Sequence, residues 1–155
     1  MRTPSIANVS ATEPRSQKRR SVWSTGLFVF AAAGIVDGVI AVVAGLAGVD
    51  MTVVPQGGPT MMVGIGAVLL ALAVSVAIGT LTLAAIGRGR SSRWRFLAVV
   101  GFGLSAVSIA APLSVQATEA TTVTLAAMHI VAGLIWFVAL WQGAKSQHTR
   151  EQSAV

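Results

Sequence analysis

The sequence predicts an all-α integral membrane protein, a four-helix bundle with both termini cytoplasmic and a disordered N-terminal tail. Three observations carry that expectation. Of 155 residues, 54% are hydrophobic and only 10% charged, against roughly 25% charged in soluble proteins. The apolar residues gather into four blocks, each long enough at about 1.5 Å per residue to cross a hydrocarbon core of about 30 Å. The 11 Lys and Arg residues lie outside that apolar mass or, for Arg95, at its very edge, and every one falls on the same side of it once the blocks are threaded through a bilayer.

Residues 1–21 are polar, with Pro4, Pro14 and the run Lys18-Arg19-Arg20, and hold too few apolar residues to offset the entropy of ordering them. The first span covers about 22–48 and is apolar apart from Asp37 and a few hydroxyls. A cleaved signal peptide is its rival, because basic residues precede it and Ala44-Gly45-Leu46-Ala47-Gly48 is small enough for a protease. The stretch is far longer than the 7–15 or so residues of a signal core and contains an acid, so a retained span is expected. A short loop follows, in which Pro55-Gln56-Gly57-Gly58-Pro59 removes amide donors and turns the chain. The second span is expected over 61–86 and ends at the polar turn Gly87-Arg88-Gly89-Arg90-Ser91-Ser92-Arg93. The third, over 94–115, carries Pro112 near its end, and the fourth runs over 121–142. Residues 145–155 form a polar tail. The apolar and polar residues do not alternate as in the strands of a membrane barrel, so helices are the remaining spanning structure.

Charge then orients the chain. Five basic residues precede the first span, Arg88, Arg90, Arg93 and Arg95 follow the second, and Lys145 and Arg150 follow the fourth, while the opposite side holds Asp50 and Glu119. The positive-inside rule puts both termini in the cytoplasm of a plasma-membrane protein. The net charge of +6 is therefore an orientation signal and not a nucleic-acid footprint, since no basic stripe interleaves with aromatics. With no cysteine in the chain, disulfides, thiolate metal sites and Cys nucleophiles are excluded. Trp23, Trp94 and Trp141 are expected to anchor at the headgroups, with Trp136 deeper and packed inside.

Small residues recur at helical spacing in each span, marking the faces where helices meet. They are Gly34, Gly38, Ala41 and Gly45; Ala67, Ala71, Ser75 and Gly79; Gly101, Ser105, Ser108 and Pro112; and Thr122, Ala126, His129 and Gly133. The polar residues fall on these stripes, so Asp37, Ser75, Ser105, Ser108 and His129 are expected to form a polar cluster inside the bundle. Counting at about 1.5 Å per residue places Asp37 and His129 within roughly 3 Å of the same depth, close enough to pair. An acid at the bilayer centre costs about 2.5–3.5 kcal/mol and usually marks a function, whereas an interhelical hydrogen bond returns only about 0.6 kcal/mol on average. Asp37 therefore reads either as a proton or cation site or as a structural hydrogen-bonding group. His129 reads first as a satisfied core group and second as a proton relay. Thr118 and Glu119 read as a helix cap with an acid complementing the helix dipole, and alternatively as the mouth of a vestibule leading to Asp37 and His129. No catalytic motif, metal-ligand set or cofactor fingerprint is expected to operate here.

The segments Ala47-Gly48-Val49-Asp50-Met51-Thr52-Val53, the Arg-rich turn with Trp94, Ala111-Pro112-Leu113, Thr118-Glu119-Ala120-Thr121 and Met128-His129 resemble domain-of-unknown-function family 6069, small four-helix membrane proteins of actinobacteria. The resemblance spans about residues 25–140. It implies the same topology, draws attention to Thr118, Glu119 and His129, and supplies no reaction. It also implies that the position matching Asp37 is often an amide, which weakens a proton-coupling role. The expected function is thus a non-enzymatic structural, accessory or interaction subunit, its partners being the lipid bilayer and a second copy or another membrane protein. The alternative is a small proton- or cation-coupled transporter or channel using Asp37 and His129, similar in size to small multidrug-resistance transporters but with a one-sided charge bias that implies a single orientation.

Overall fold

The computed structural model of the protein describes residues 22–87 and 91–153; the expected disordered tail and Arg88 to Arg90 lie outside them. Four helical segments are long and apolar enough to cross a membrane, the architecture of a multi-pass membrane protein. Helix α1 covers Val22–Leu46 and α2 covers Ile65–Ile86. The third segment is split into α3, Ser91–Ser108, and a short α4, Ala110–Ser114. Helix α5 runs over Glu119–Ser153, so Lys145, expected to open a polar tail, continues the last helix. In an apolar medium the backbone must satisfy itself, which these helices do. Their hydroxyls follow the same rule: Ser75 donates to the Ala71 carbonyl at 2.8 Å, Thr82 to Ile78 at 2.8 Å and Thr124 to Ala120 at 2.7 Å.

The helix ends are made by particular residues. Gly48 at the end of α1 has φ of 74°, and the Val49 amide returns to the Ala44 carbonyl at 2.9 Å while Gly48 returns to Gly45 at 3.1 Å. That pattern is a Schellman close, which needs a residue at ease in left-handed backbone. At the end of α2 the carbonyls of Ile86 and Gly87 accept from Arg93 Nη1 at 3.0 Å and Trp94 Nε1 at 2.9 Å, so side chains of α3 satisfy the orphan carbonyls of α2. Trp94 is consequently only 3% exposed and packs in the core, where anchoring at the headgroups was expected. The break in the third segment has a cause in Pro112, which has no N–H to give to Ser108, the last residue of α3.

The all-α expectation missed a small sheet. Strands β1, Thr52–Val54, β2, Met61–Met62, and β3, Gln116–Ala117, pair antiparallel in the order β2-β1-β3. Thr52 faces Met62 and Val53 faces Ala117. Met61 and Met62, expected to open the second span, belong to this sheet. The sheet caps one end of the bundle, and the end of α2 and the start of α3 lie at the other.

Among the helices, α3 packs chiefly on α5, and α1 packs on both α2 and α5, whereas α2 and α3 barely touch. The four spans therefore form a ring closed at three interfaces, with an open seam between α2 and α3. One core cluster joins Leu83, Trp94, Leu97, Ala98, Leu140 and Ala144; a second joins Val29, Ala33, Leu72, Val76 and Ala139. Outward faces carry large apolar side chains such as Leu27, Ile35, Leu70 and Val107, as a surface in contact with lipid requires.

Candidate functional site

The open seam is a groove of about 560 Å³ lined by residues of α1, α2, α3 and α5. Its wall is apolar with few polar groups. Asp37, Ser75, Ser105, Ser108 and His129 all border it, so the structure brings together the five residues expected to cluster. They are not equally enclosed. Asp37 is 3% exposed and its Oδ1 has no hydrogen-bond partner. His129 and the two serines of α3 are half-buried, while Ser75 is exposed on the α2 side of the groove.

Helical spacing explains the positions. Gly34 approaches Leu69 and Leu72 of α2 so closely that a Cβ would lie 3.4 Å from Leu69 Cδ2 and 3.7 Å from Leu72 Cδ2, which seats α1 on α2. One turn on, the stripe carries Asp37 to the groove. On the other side Gly133 of α5 meets Ser105, whose Oγ would be 2.5 Å from an added Cβ. Ser105 donates to the His129 carbonyl across that interface, and Ser108 donates to the Ser105 carbonyl at 2.7 Å. The serines thus spend their hydrogens on backbone and present oxygen lone pairs.

Asp37 and His129 do not form the direct pair that depth counting allowed. His129 Nδ1–H donates to the Leu125 carbonyl of its own helix at 2.8 Å, which leaves Nε2 as its second ring nitrogen. The two groups share the groove and lie within electrostatic range of one another. A structural reading of Asp37 requires an interhelical hydrogen bond; Oδ1 makes none. That is a costly state for a buried polar atom unless something else meets it.

Trp136 forms part of the groove wall. Its Nε1 donates to the Leu97 carbonyl at 3.1 Å, and its ring occupies the space that side chains on Gly79 of α2 and Gly101 of α3 would fill. The reading of Trp136 as an inward residue agrees with this. Its two glycine seats lay within the small-residue stripes but were not assigned to it.

Thr118 and Glu119 lie elsewhere. The Thr121 amide donates to Thr118 Oγ1 at 3.2 Å at the start of α5, and Thr121 Oγ1 donates to the Asp50 carbonyl at 2.5 Å. Asp50 in turn accepts from Thr52 on β1. Thr118 therefore caps α5, and fully buried Thr121 ties that cap to the end of α1. Glu119 is exposed in the first turn and does not border the groove. No group of three or more His, Cys, Asp or Glu residues suited to a metal ion occurs among the described residues.

No curated protein and no solved structure matches this chain. The sequence model of a family of unknown function, DUF6069, matches residues 17–146. That match covers all four helices able to span a membrane and the groove between them, and on it the chain belongs to that family of unknown function.

Proposed function

We propose that the protein is a small, non-enzymatic, multi-pass protein of an actinobacterial plasma membrane, termini in the cytoplasm, that takes a cation into its groove at Asp37 and His129 as a binding protein or transporter. The observation that carries this reading is Asp37 in the lining of an open groove, buried and with its Oδ1 without a partner. A mainly structural acid would have spent both oxygens on neighbouring helices. The orientation rests on charge: Arg93 and Arg95 lie at one end of the bundle, Asp50 and Glu119 at the other.

In proteoliposomes, Asp37→Asn is expected to abolish cation-dependent flux, or protection of the protein by its cation against heat. Unchanged flux and protection would remove the acid from the mechanism.

A second reading, an accessory or interaction subunit, is favoured by the exposed apolar walls of the seam, where Leu104 is 65% exposed and Ile78 is 61% exposed. A helix from a second copy or another membrane protein would cover them. Cross-linkers placed at Leu104 in native membranes would then give a discrete adduct to a protein.

A further inference from the structure

Resting on the cation reading of this groove, we infer that its ligand is a lipophilic organic cation, an apolar body of drug size carrying one ammonium- or phosphonium-type charge. Three observations converge on that class. The groove, at about 560 Å³, has the size and the mostly apolar wall of a small-molecule site. It holds a single acid, Asp37, 97% withdrawn from solvent with Oδ1 unspent, which suits one positive charge. And the indole of Trp136, its N–H already committed to the Leu97 carbonyl and its ring packed against Gly79 and Gly101, adds aromatic surface to the same wall.

Smaller cations fit this wall less well. A hydrated alkali or alkaline-earth ion sheds its water only against several oxygen ligands. Here Asp37 stands without a second acid in the lining, the other side-chain oxygens there, on Ser75, Thr82, Ser105 and Ser108, are neutral hydroxyls divided between α2 and α3, and no acid or histidine cluster of metal-holding size occurs among the described residues. A lipophilic cation brings its own apolar shell, so one carboxylate and an apolar wall suffice. Its route follows from the fold, because the seam between α2 and α3 runs along the side of the bundle, where such molecules concentrate in the membrane. Leu104, exposed on α3 within the lining, stands where the body of the ligand would lie.

The test uses the full chain in lipid nanodiscs and radiolabelled tetraphenylphosphonium, with tetraphenylborate as an isosteric anion measured separately. Saturable binding of the cation and none of the anion is expected. Asp37→Asn should weaken binding by about tenfold or more, the size of effect that loss of one desolvated charge partner gives, and Asp37→Glu should recover part of it. Leu104→Trp, which fills the groove from an exposed position without touching the core, should abolish binding while the protein keeps its melting temperature. Equal binding of cation and anion, or equal affinity in the wild type and Asp37→Asn, overturns the proposal. Asp37-dependent flux or protection by sodium ions without tetraphenylphosphonium binding overturns the ligand class and leaves the cation reading standing. If Asp37→Asn alters neither assay, both fall.

Discussion

Gly79 and Gly101 approach the Trp136 indole from two helices, and their absent side chains are what allow a tryptophan to stand between α2 and α3 near the seam. An added Cβ at Gly79 would lie 2.6 Å from Trp136 Cη2. Gly101→Leu is therefore expected to displace the ring and lower stability by about 1–3 kcal/mol, read as a lower melting temperature together with red-shifted tryptophan emission. Thr121 makes a second residue-scale case. Its hydroxyl donates to the Asp50 carbonyl and its amide to Thr118, so Thr121→Val keeps shape but strands the Asp50 carbonyl. The expected cost is about 1–3 kcal/mol, seen as a drop in melting temperature in detergent, with Thr121→Ser close to wild type. At this scale the sequence was legible where the signal was an exception: one acid inside an apolar block, and one histidine on a small-residue stripe. Thr121 was missed because its partner, the Asp50 carbonyl, is 71 residues away in sequence and nothing local announces it.

The elements show where periodicity stops being informative. Four apolar blocks separated by Pro, Gly and Arg define helices almost by themselves, because lipid leaves the backbone no other solution. The strands have only two or three residues, too few to show alternation, although β-branched Thr52-Val53-Val54 before a Pro-Gly turn is the trace they leave. In that turn the Gly58 amide donates to the Pro55 carbonyl at 3.0 Å and Gly57 has φ of 71°. Gly57→Ala is expected to cost about 1–2 kcal/mol, measurable as destabilisation of the sheet end by amide exchange. The split between α3 and α4 is a proline effect: Pro112→Ala restores a donor opposite the Ser108 carbonyl, and slower exchange of the amides at 109–113 is the expected outcome.

For the whole molecule, charge and packing speak to different properties. The distribution of Lys and Arg fixes an expected orientation, tested by reporter fusions at Gly57 and Arg90: Gly57 outside and Arg90 inside is the expected outcome, and an external Arg90 overturns it. Packing decides which helices touch. That was not legible, because every span carries a small-residue stripe and the stripes alone do not say which pairs will close. Ala67, Ala71 and Ser75 looked like an interface, yet they face the seam and remain exposed, since α2 spends its contacts on α1. A stripe that meets no helix became one wall of the groove.

The lateral seam also changes what an affinity for this protein would mean. An occupant that arrives through lipid is first sorted by the bilayer, so its local concentration is set by partition before the protein acts on it. Each added methylene favours partition by about 0.8 kcal/mol, roughly fourfold in concentration. Across a homologous series, apparent dissociation constants referred to water would tighten by that factor per carbon even where the added carbon touches no residue. Selectivity at Asp37 would become visible only after the membrane's own preference had been divided out.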